Sequence, residues 1–506
     1  MRYGFVIDHR KCIGCHACTV ACKEENQVPL GAFRTWVKYV EKGTFPHTRR
    51  YFSVLRCNHC DDAPCVTICP TVALYRRPDG VVDFDGARCI GCKSCMQACP
   101  YDALYIDPNS NTAAKCNYCA HRLEVGLEPA CVIVCPERAI IAGDLDRPSS
   151  EIARLVAREQ VEVRKPEQGT RPKVYYIGAE SSGLTPSLQA PAASYLWGQR
   201  AGGEVDLVRM AASIQSVAAG GDGALSRPVY DAPHAPRPWG WKVSAYLWTK
   251  SIATGALMMA AFDRIMSLTR GDALFDTAAA VVALVFLVLT MGLLVLDLKR
   301  PDRFHFVLLK GHWRSWLVRG AWILLAYGLA AGLWLLTSPA QHRLLVAPAL
   351  ALALGAAGYS AFLFGQAEGR DFWQSPLLLP HLVVAAMLAG AASLVVVGTL
   401  MGAAEVAVLS MGGFLALALL LHGGLMLADL GVGHTNVDVA RAARMMTHGG
   451  YRGRFWLFAV VGGVVLPFVA IVLLPGGMVI AALLALLGLW VYEDVWIRAG
   501  QSIPLS

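Results

Sequence analysis

Sixteen cysteines lie between Cys12 and Cys135 in a chain of 506 residues, and their spacing constrains the fold more than any other feature. They form four groups. Cys12, Cys15, Cys18 and Cys22 are separated by two, two and three residues, and Cys89, Cys92, Cys95 and Cys99 repeat that spacing. Cys57, Cys60, Cys65 and Cys69 have spacers of two, four and three; Cys116, Cys119, Cys131 and Cys135 have two, eleven and three. Proline follows Cys69, Cys99 and Cys135. Three closely spaced thiolates can wrap one corner of an iron–sulfur cube, while the fourth is held away by a helical turn and reaches the neighbouring cube. Sixteen thiolates at four per cube predict four [4Fe–4S] clusters with none left over. A disulfide framework expects a short secreted chain, and the sequence opens on no secretory signal. Structural zinc prefers separate C-x2-C pairs.

The spacing is that of the bacterial ferredoxin motif, used four times with loop variations. Its crossed ligation rule joins Cys12, Cys15 and Cys18 with Cys135, and Cys116, Cys119 and Cys131 with Cys22. It likewise joins Cys57, Cys60 and Cys65 with Cys99, and Cys89, Cys92 and Cys95 with Cys69. No Ser/His/Asp arrangement or P-loop accompanies these groups, and the lone G-x-G at Gly431–Gly433 follows an apolar run rather than a strand. Four clusters with no substrate site of their own make an electron wire, which needs a partner at each end.

The rest of the chain is of another kind. Residues 1–240 carry 53 charges, whereas 241–506 carry only 29. From Tyr246 onward apolar runs long enough to cross a bilayer recur, and we read eight spans: 246–266, 275–296, 316–336, 344–365, 377–400, 406–428, 455–474 and 477–497. The sequence thus divides into a cluster domain (1–144), an extended linker wrapping it (145–240) and a membrane domain (241–506). The linker is rich in Gly, Ala, Pro and Ser, with one strand-like piece, Lys173–Gly178; a flexible tether is the rival reading. An even number of spans puts both flanks on one side. Fifteen Lys and Arg fall on the side of the cluster domain against three (Arg264, Arg270, Arg343) on the other, which predicts a cytoplasmic cluster domain on the inner membrane. The opening Met1–Lys11 shows no twin-arginine leader, in agreement.

Ionisable groups inside a bilayer are costly, so each is a functional candidate. Tyr246, Lys250, Arg319, Tyr359, Gln366, His381, His422 and Asp429 all fall nearer the cluster-domain side, whereas the far half offers mainly Asp263 and Glu405. This convergence predicts a quinone pocket: an apolar slot, a donor at each carbonyl and a proton carrier. Bland readings compete. Lys250 and Arg319 could snorkel, Tyr246 could belong to an aromatic belt, and His422 could bond a neighbouring helix. His381 and His422 could also ligate one b-type haem.

These residues resemble known families. The first 180 or so resemble the four-cluster electron-transfer subunit of molybdopterin oxidoreductases such as polysulfide and dimethyl sulfoxide reductases, through Cys57-Asn58-His59-Cys60, Pro64-Cys65, Cys69-Pro70 and Cys89-Ile90-Gly91-Cys92. The membrane half resembles the NrfD-type anchor of polysulfide reductase, through Asp297-Leu298-Lys299-Arg300-Pro301-Asp302-Arg303-Phe304, Trp373-Gln374-Ser375-Pro376 and Ala499-Gly500-Gln501. The resemblance implies an α+β ferredoxin-like domain followed by an all-α domain of eight transmembrane helices in two four-helix bundles, without haem. It also implies menaquinone or ubiquinone as electron partner at a site among the first four spans, favouring Tyr246, Lys250, Arg319, Tyr359 and Gln366 over His381 and His422. The catalytic partner it implies is a separate subunit with a molybdenum or tungsten bis-pterin, in an anaerobic respiratory complex open to higher oligomers. Two alternatives keep the same wire: a nickel–iron hydrogenase partner, or a proton translocator similar to alternative complex III. Fusion of two usually separate subunits and a cytoplasmic cluster domain are the departures from the family pattern.

Overall fold

The computed structural model describes residues 1–43, 46–189, 226–232, 238–266, 273–338, 341–431 and 436–506. Much of the linker, together with Arg237, Arg270 and Gly433, lies outside the described residues. The protein divides into two compact units, 1–236 with 504–506, and 237–503.

In the first unit, the apolar run Phe5-Val6-Ile7 makes the centre of a four-stranded sheet because it is buried on both faces. Strand Tyr3–Asp8 pairs antiparallel with Ile140–Asp144 (Phe5 opposite Ala142) and parallel with Val174–Ile177 (Phe5 opposite Val174). The strand-like piece of the linker therefore sits inside this sheet, and Val161–Glu162 closes its edge. Between them, helix Glu151–Arg158 starts where the Ser150 hydroxyl accepts the Ala153 N–H at 3.2 Å, and buries Ile152 against the sheet. A second sheet pairs Thr35–Lys42 with Arg49–Arg56 and Arg227–Tyr230.

The cysteines hang on a repeated local unit. Short helices Pro64–Ile68 and Ser94–Ala98 each lie just before a Cys-Pro pair, Cys69-Pro70 and Cys99-Pro100. Each pair then leads into a small hairpin, Leu74–Arg76 with Val82–Phe84 and Leu104–Ile106 with Ala113–Lys115. The outer pair of groups is built alike, except that its strands are Tyr3–Asp8, before Cys12, and Ile140–Asp144, after Cys135.

The second unit is helical. Its long helices are α1 (Trp241–Met266), α2 (Ala273–Asp297), α3 (Trp316–Leu336), α4 (His342–Gly365), α5 (Leu378–Met401), α6 (Glu405–Gly431), α7 (Arg454–Leu473) and α8 (Met478–Gln501). Among the described residues seven of these, α2 to α8, are long and apolar enough to cross a membrane. The expected first span, 246–266, is helical within α1 but does not reach that standard. Its composition has a physical reason: Thr249 to Ala261 is buried throughout, so α1 packs against helices on all sides and has no lipid-facing stripe to keep apolar. α1 and α5 approach so closely at Gly255 and Gly390 that a Cβ on either would strike the other's backbone. α7 opens as a π-helix over Arg454–Val465 and tightens to an α-helix from Leu466, where Pro467 has no N–H to donate.

Two of the anchor motifs meet in this unit. Trp373 stacks on Trp239 at 5.5 Å and covers Gly500 so closely that no side chain fits there. The Gln501 amide grips both the N–H and the C=O of Trp239 at 3.0 Å. Arg370 donates to the carbonyl of Ile503 at 2.9 Å.

Candidate functional site

In all four groups, the residue before the second cysteine has a positive φ: Gly14 (72°), His59 (44°), Gly91 (68°) and Tyr118 (62°). This left-handed step turns each loop back on itself, so that successive thiols converge instead of alternating. Two of the four positions are not glycine, so the constraint is strong enough to hold a histidine and a tyrosine in a conformation that costs them energy.

The thiols gather in the crossed arrangement. Cys135 lies in electrostatic range of Cys12, and both line a cavity of about 350 Å³ with Cys15 and Cys18. Cys22 faces Cys116, Cys119 and Cys131 around about 270 Å³. Cys69 faces Cys89, Cys92 and Cys95 around about 380 Å³. Cys99 stands beside Cys57, Cys60 and Cys65. No disulfide joins any of the sixteen. Among the described residues no three such side chains are close enough to share a single metal ion. Thiols spread around a void suit a cube of several irons and not a zinc ion. Adjacent quartets touch electrostatically through Cys18 and Cys131, through Cys57 and Cys116, and through Cys65 and Cys95, which sets them in a line. Burial pushes the Cys18, Cys60 and Cys92 thiols up to about 12, so binding of iron there must expel protons.

Sequence reasoning missed the cations among these thiols. Arg56 is fully buried; it donates to Cys131 Sγ at 3.2 Å and to Thr35 Oγ1 at 3.1 Å, and lies 4.3 Å from the centre of the Phe5 ring. Burial opposes its charge, but the surrounding thiols of Cys131, Cys116 and Cys18 more than offset this. Lys115, also fully buried, donates to the carbonyls of Val82 and Cys116 and stands beside Cys57. Such buried positive charge suits a site that will hold net negative clusters. The signal in the sequence is one arginine in an otherwise apolar stretch, Val54-Leu55-Arg56.

In the helical unit the polar side chains gather at both ends of the bundle. At the end where α1 begins, Lys250, only 1% exposed, donates to the Ala357 carbonyl at 2.9 Å and to Ser360 Oγ at 2.7 Å, with the Tyr359 ring centre 5.0 Å away. Tyr246 reaches the same Ser360 and Tyr359. Lys250 is therefore an interior group and does not snorkel. Tyr246, Lys250 and Tyr359 come together as expected from sequence, with Ser360 as an added member. Gln366 and Arg319 do not join them. The Gln366 amide accepts from the Trp316 N–H at 2.9 Å and donates to the Arg314 carbonyl at 2.7 Å, and Arg319 donates to the Trp313 carbonyl at 2.6 Å. Both fasten the start of α3.

His381 and His422 share a hydrogen bond at 3.1 Å, and Tyr492 stacks on His381 at 5.0 Å. Beside them is a cavity of about 460 Å³, walled by leucines and Trp496, into which Ser375, His381, Asp429, Tyr492 and Glu493 project. Glu493 is 4% exposed, and neither carboxylate oxygen has a hydrogen-bond partner among the described residues. Among the described residues, Lys250 is a cation in electrostatic range of it. Tyr492 and Glu493, adjacent on α8, thus connect the histidine pair with the lysine group.

The opposite end adds to the sequence reading, which placed mainly Asp263 and Glu405 there. Asp276 and His342 are both buried at that end; Arg264 pairs with Asp276, and His342 Nδ1 lies 3.3 Å from the same carboxylate. His342 Nε2 donates to the Trp334 carbonyl at 2.9 Å, and the two rings stack at 4.4 Å. Asp276 opens α2 and reads in sequence as an ordinary acidic first turn.

Comparison with known proteins matches two families: the polysulphide reductase NrfD family over residues 232–504, and a 4Fe–4S dicluster domain over residues 48–145. A tetrathionate reductase subunit of Salmonella typhimurium is 47% identical over 200 residues, which is 39% of the present sequence and 80% of the relative. A polysulfide reductase component of Wolinella succinogenes is 39% identical, over 36% of the present sequence and 97% of its own length. The arsenate respiratory reductase iron–sulfur subunit of a Shewanella species is 36% identical, over 35% and 96% respectively.

Proposed function

From the premise that this protein belongs to the NrfD polysulphide reductase family, fused to an iron–sulfur subunit of reductase type, we propose that it carries electrons between a molybdopterin catalytic subunit and the membrane quinone pool. The observation that carries this reading is the line of four crossed thiol quartets, adjacent ones in electrostatic contact, joined covalently to a multi-pass helical unit. When bound, four [4Fe–4S] clusters supply one-electron carriers along that line. The protein's part is to hold thiols, shield them from water and balance their charge with Arg56 and Lys115. Tyr246, Lys250, Tyr359 and Ser360 form the polar end of a quinone site, with Lys250 as a donor to a quinone oxygen. His381 and His422 sit one helix contact away through α8, and Arg319 and Gln366 support the loop before α3. The membrane is the inner one, all eight long helices cross it, and the cluster unit faces the cytoplasm.

Metal analysis of the complex, purified through a tag on this protein, tests the reading. About sixteen iron atoms per copy, with molybdenum or tungsten, is the expected result; nickel in their place moves the protein to a hydrogenase. Quinol turnover unchanged by Lys250→Ala and Tyr359→Phe together overturns the quinone site. A second reading, a proton translocator, gains support from the buried Arg264–Asp276–His342 group. Loss of proton translocation with intact turnover in Asp276→Asn favours it.

A further inference from the structure

We infer that Glu493 is the proton carrier of this protein, passing protons between the cavity beside His381 and a quinone at the Lys250 group. The inference rests on the quinone reading above. A carboxyl group inside a bundle is costly, and the ordinary ways of meeting that cost are ion pairs and hydrogen bonds. Its neighbour on α8 shows both: Asp494 accepts from Arg454 at 2.6 Å, from Arg498 at 2.8 Å and from Ser244 at 3.1 Å. Glu493 accepts from none among the described residues, although it is more than nine-tenths buried. A group of that kind is held in place by something other than structural bonding.

Its surroundings supply the rest of a relay. On one side is the cavity, where Asp429, already accepting from Ser375 at 2.7 Å, and His381 provide further proton-exchanging groups. On the other is Lys250, whose two strong hydrogen bonds hold its ammonium between α1 and α4. Reduction of a quinone to a quinol takes two electrons and two protons, and oxidation returns them. In the oxidising direction, each O–H of the quinol breaks, its proton passes to the Glu493 carboxylate, and the electron leaves through the clusters. The protonated acid then releases the proton into the cavity and regains its charge. In the reducing direction every transfer is reversed. No reactant beyond quinone, electrons and water-borne protons is required.

The test uses the intact complex and menadiol, a soluble naphthoquinol, with cluster reduction followed by stopped-flow absorbance across a range of pH. Glu493→Gln, which keeps shape and removes the titrating proton, is expected to slow cluster reduction at least tenfold and to flatten its pH profile. Glu493→Asp is expected to recover to within about threefold of the natural protein with a pH profile restored. Glu493→Gln within twofold of the natural protein, with the same profile, overturns the inference. If menadiol fails to reduce the clusters of the natural complex, the quinone reading itself falls, and the two failures are thereby distinguished. Should Glu493→Gln not assemble, redox-difference infrared spectra of the natural complex and Glu493→Asp decide. A carboxylic C=O band that changes on menadiol addition and moves in the aspartate variant supports the relay; no such band overturns it.

Discussion

Arg56 offers the sharpest test of the cluster domain. Its guanidinium is fully buried and donates to Cys131 Sγ at 3.2 Å, within the quartet of Cys22, Cys116, Cys119 and Cys131. Arg56→Met preserves much of the side-chain volume and removes the charge. With about 6 Å between the charge and the centre of the quartet, and an effective dielectric near 20, the lost attraction is roughly 3 kcal/mol. A reduced cluster is more negative than an oxidised one, so the arginine favours reduction and its removal lowers the potential. For a one-electron couple, with roughly 59 mV for each tenfold change, that energy corresponds to a fall of about 120 mV. The lost hydrogen bond acts in the same direction. A redox titration followed by electron paramagnetic resonance reads each reduced cluster separately. The signal of this quartet is expected to shift down by about 120 mV, with Arg56→Lys in between; the neighbouring quartet that holds Cys18 shifts less in the same direction, and the two farther signals least. An unchanged set of potentials, or an upward shift, would show that the buried charge does not act on this quartet.

Three further outcomes follow from the packing and the charges. His9 accepts the Val54 N–H through Nε2 at 3.4 Å, and burial lowers its pKa from 6.5 to about 4. The unfolded protein therefore takes up the proton first, so stability is full above about pH 6.5 and declines as the pH falls towards 4, by up to about 3 kcal/mol. Thermal unfolding at pH 7 and pH 5 is expected to show a smaller loss for His9→Gln than for the natural protein. Gly255→Leu should collapse the α1–α5 contact and abolish a monodisperse peak in size-exclusion chromatography, whereas Gly292→Leu, which meets nothing within 4 Å, should leave it intact. Cys65→Ser should lower the iron content by about four atoms per copy, since a quartet with one thiol missing is expected to lose its cube.

Long apolar runs made the helices legible: the expected span 316–336 coincides with α3, and the other boundaries fall within five residues of the observed helix ends. Cysteine spacing made the convergence of neighbouring thiols legible, because that is local geometry, whereas the crossing of the fourth thiol joins groups that lie apart in sequence. The buried ionisable groups were less legible. Glu493 precedes Asp494 near the end of a span and reads as an interfacial pair, although among the described residues Asp494 is satisfied three times and Glu493 not at all. Arg56 sits where alternation along its strand would allow either face, and only the tertiary fold turns it inward. Gln366 failed as a site residue for the converse reason: its polarity serves two backbone groups at the start of α3.

The crossed quartets are also nested, like one pair of brackets inside another. Cys57 to Cys99 supply the inner pair of quartets from 43 consecutive residues, whereas the outer pair draws on both Cys12–Cys22 and Cys116–Cys135. Closing the inner pair needs only short loops, but the outer pair must wait until the segments on both sides of it have been brought together. Iron uptake should therefore proceed from the inside outwards, and a lesion in an outer loop should leave a half-filled protein whose inner thiols are already committed.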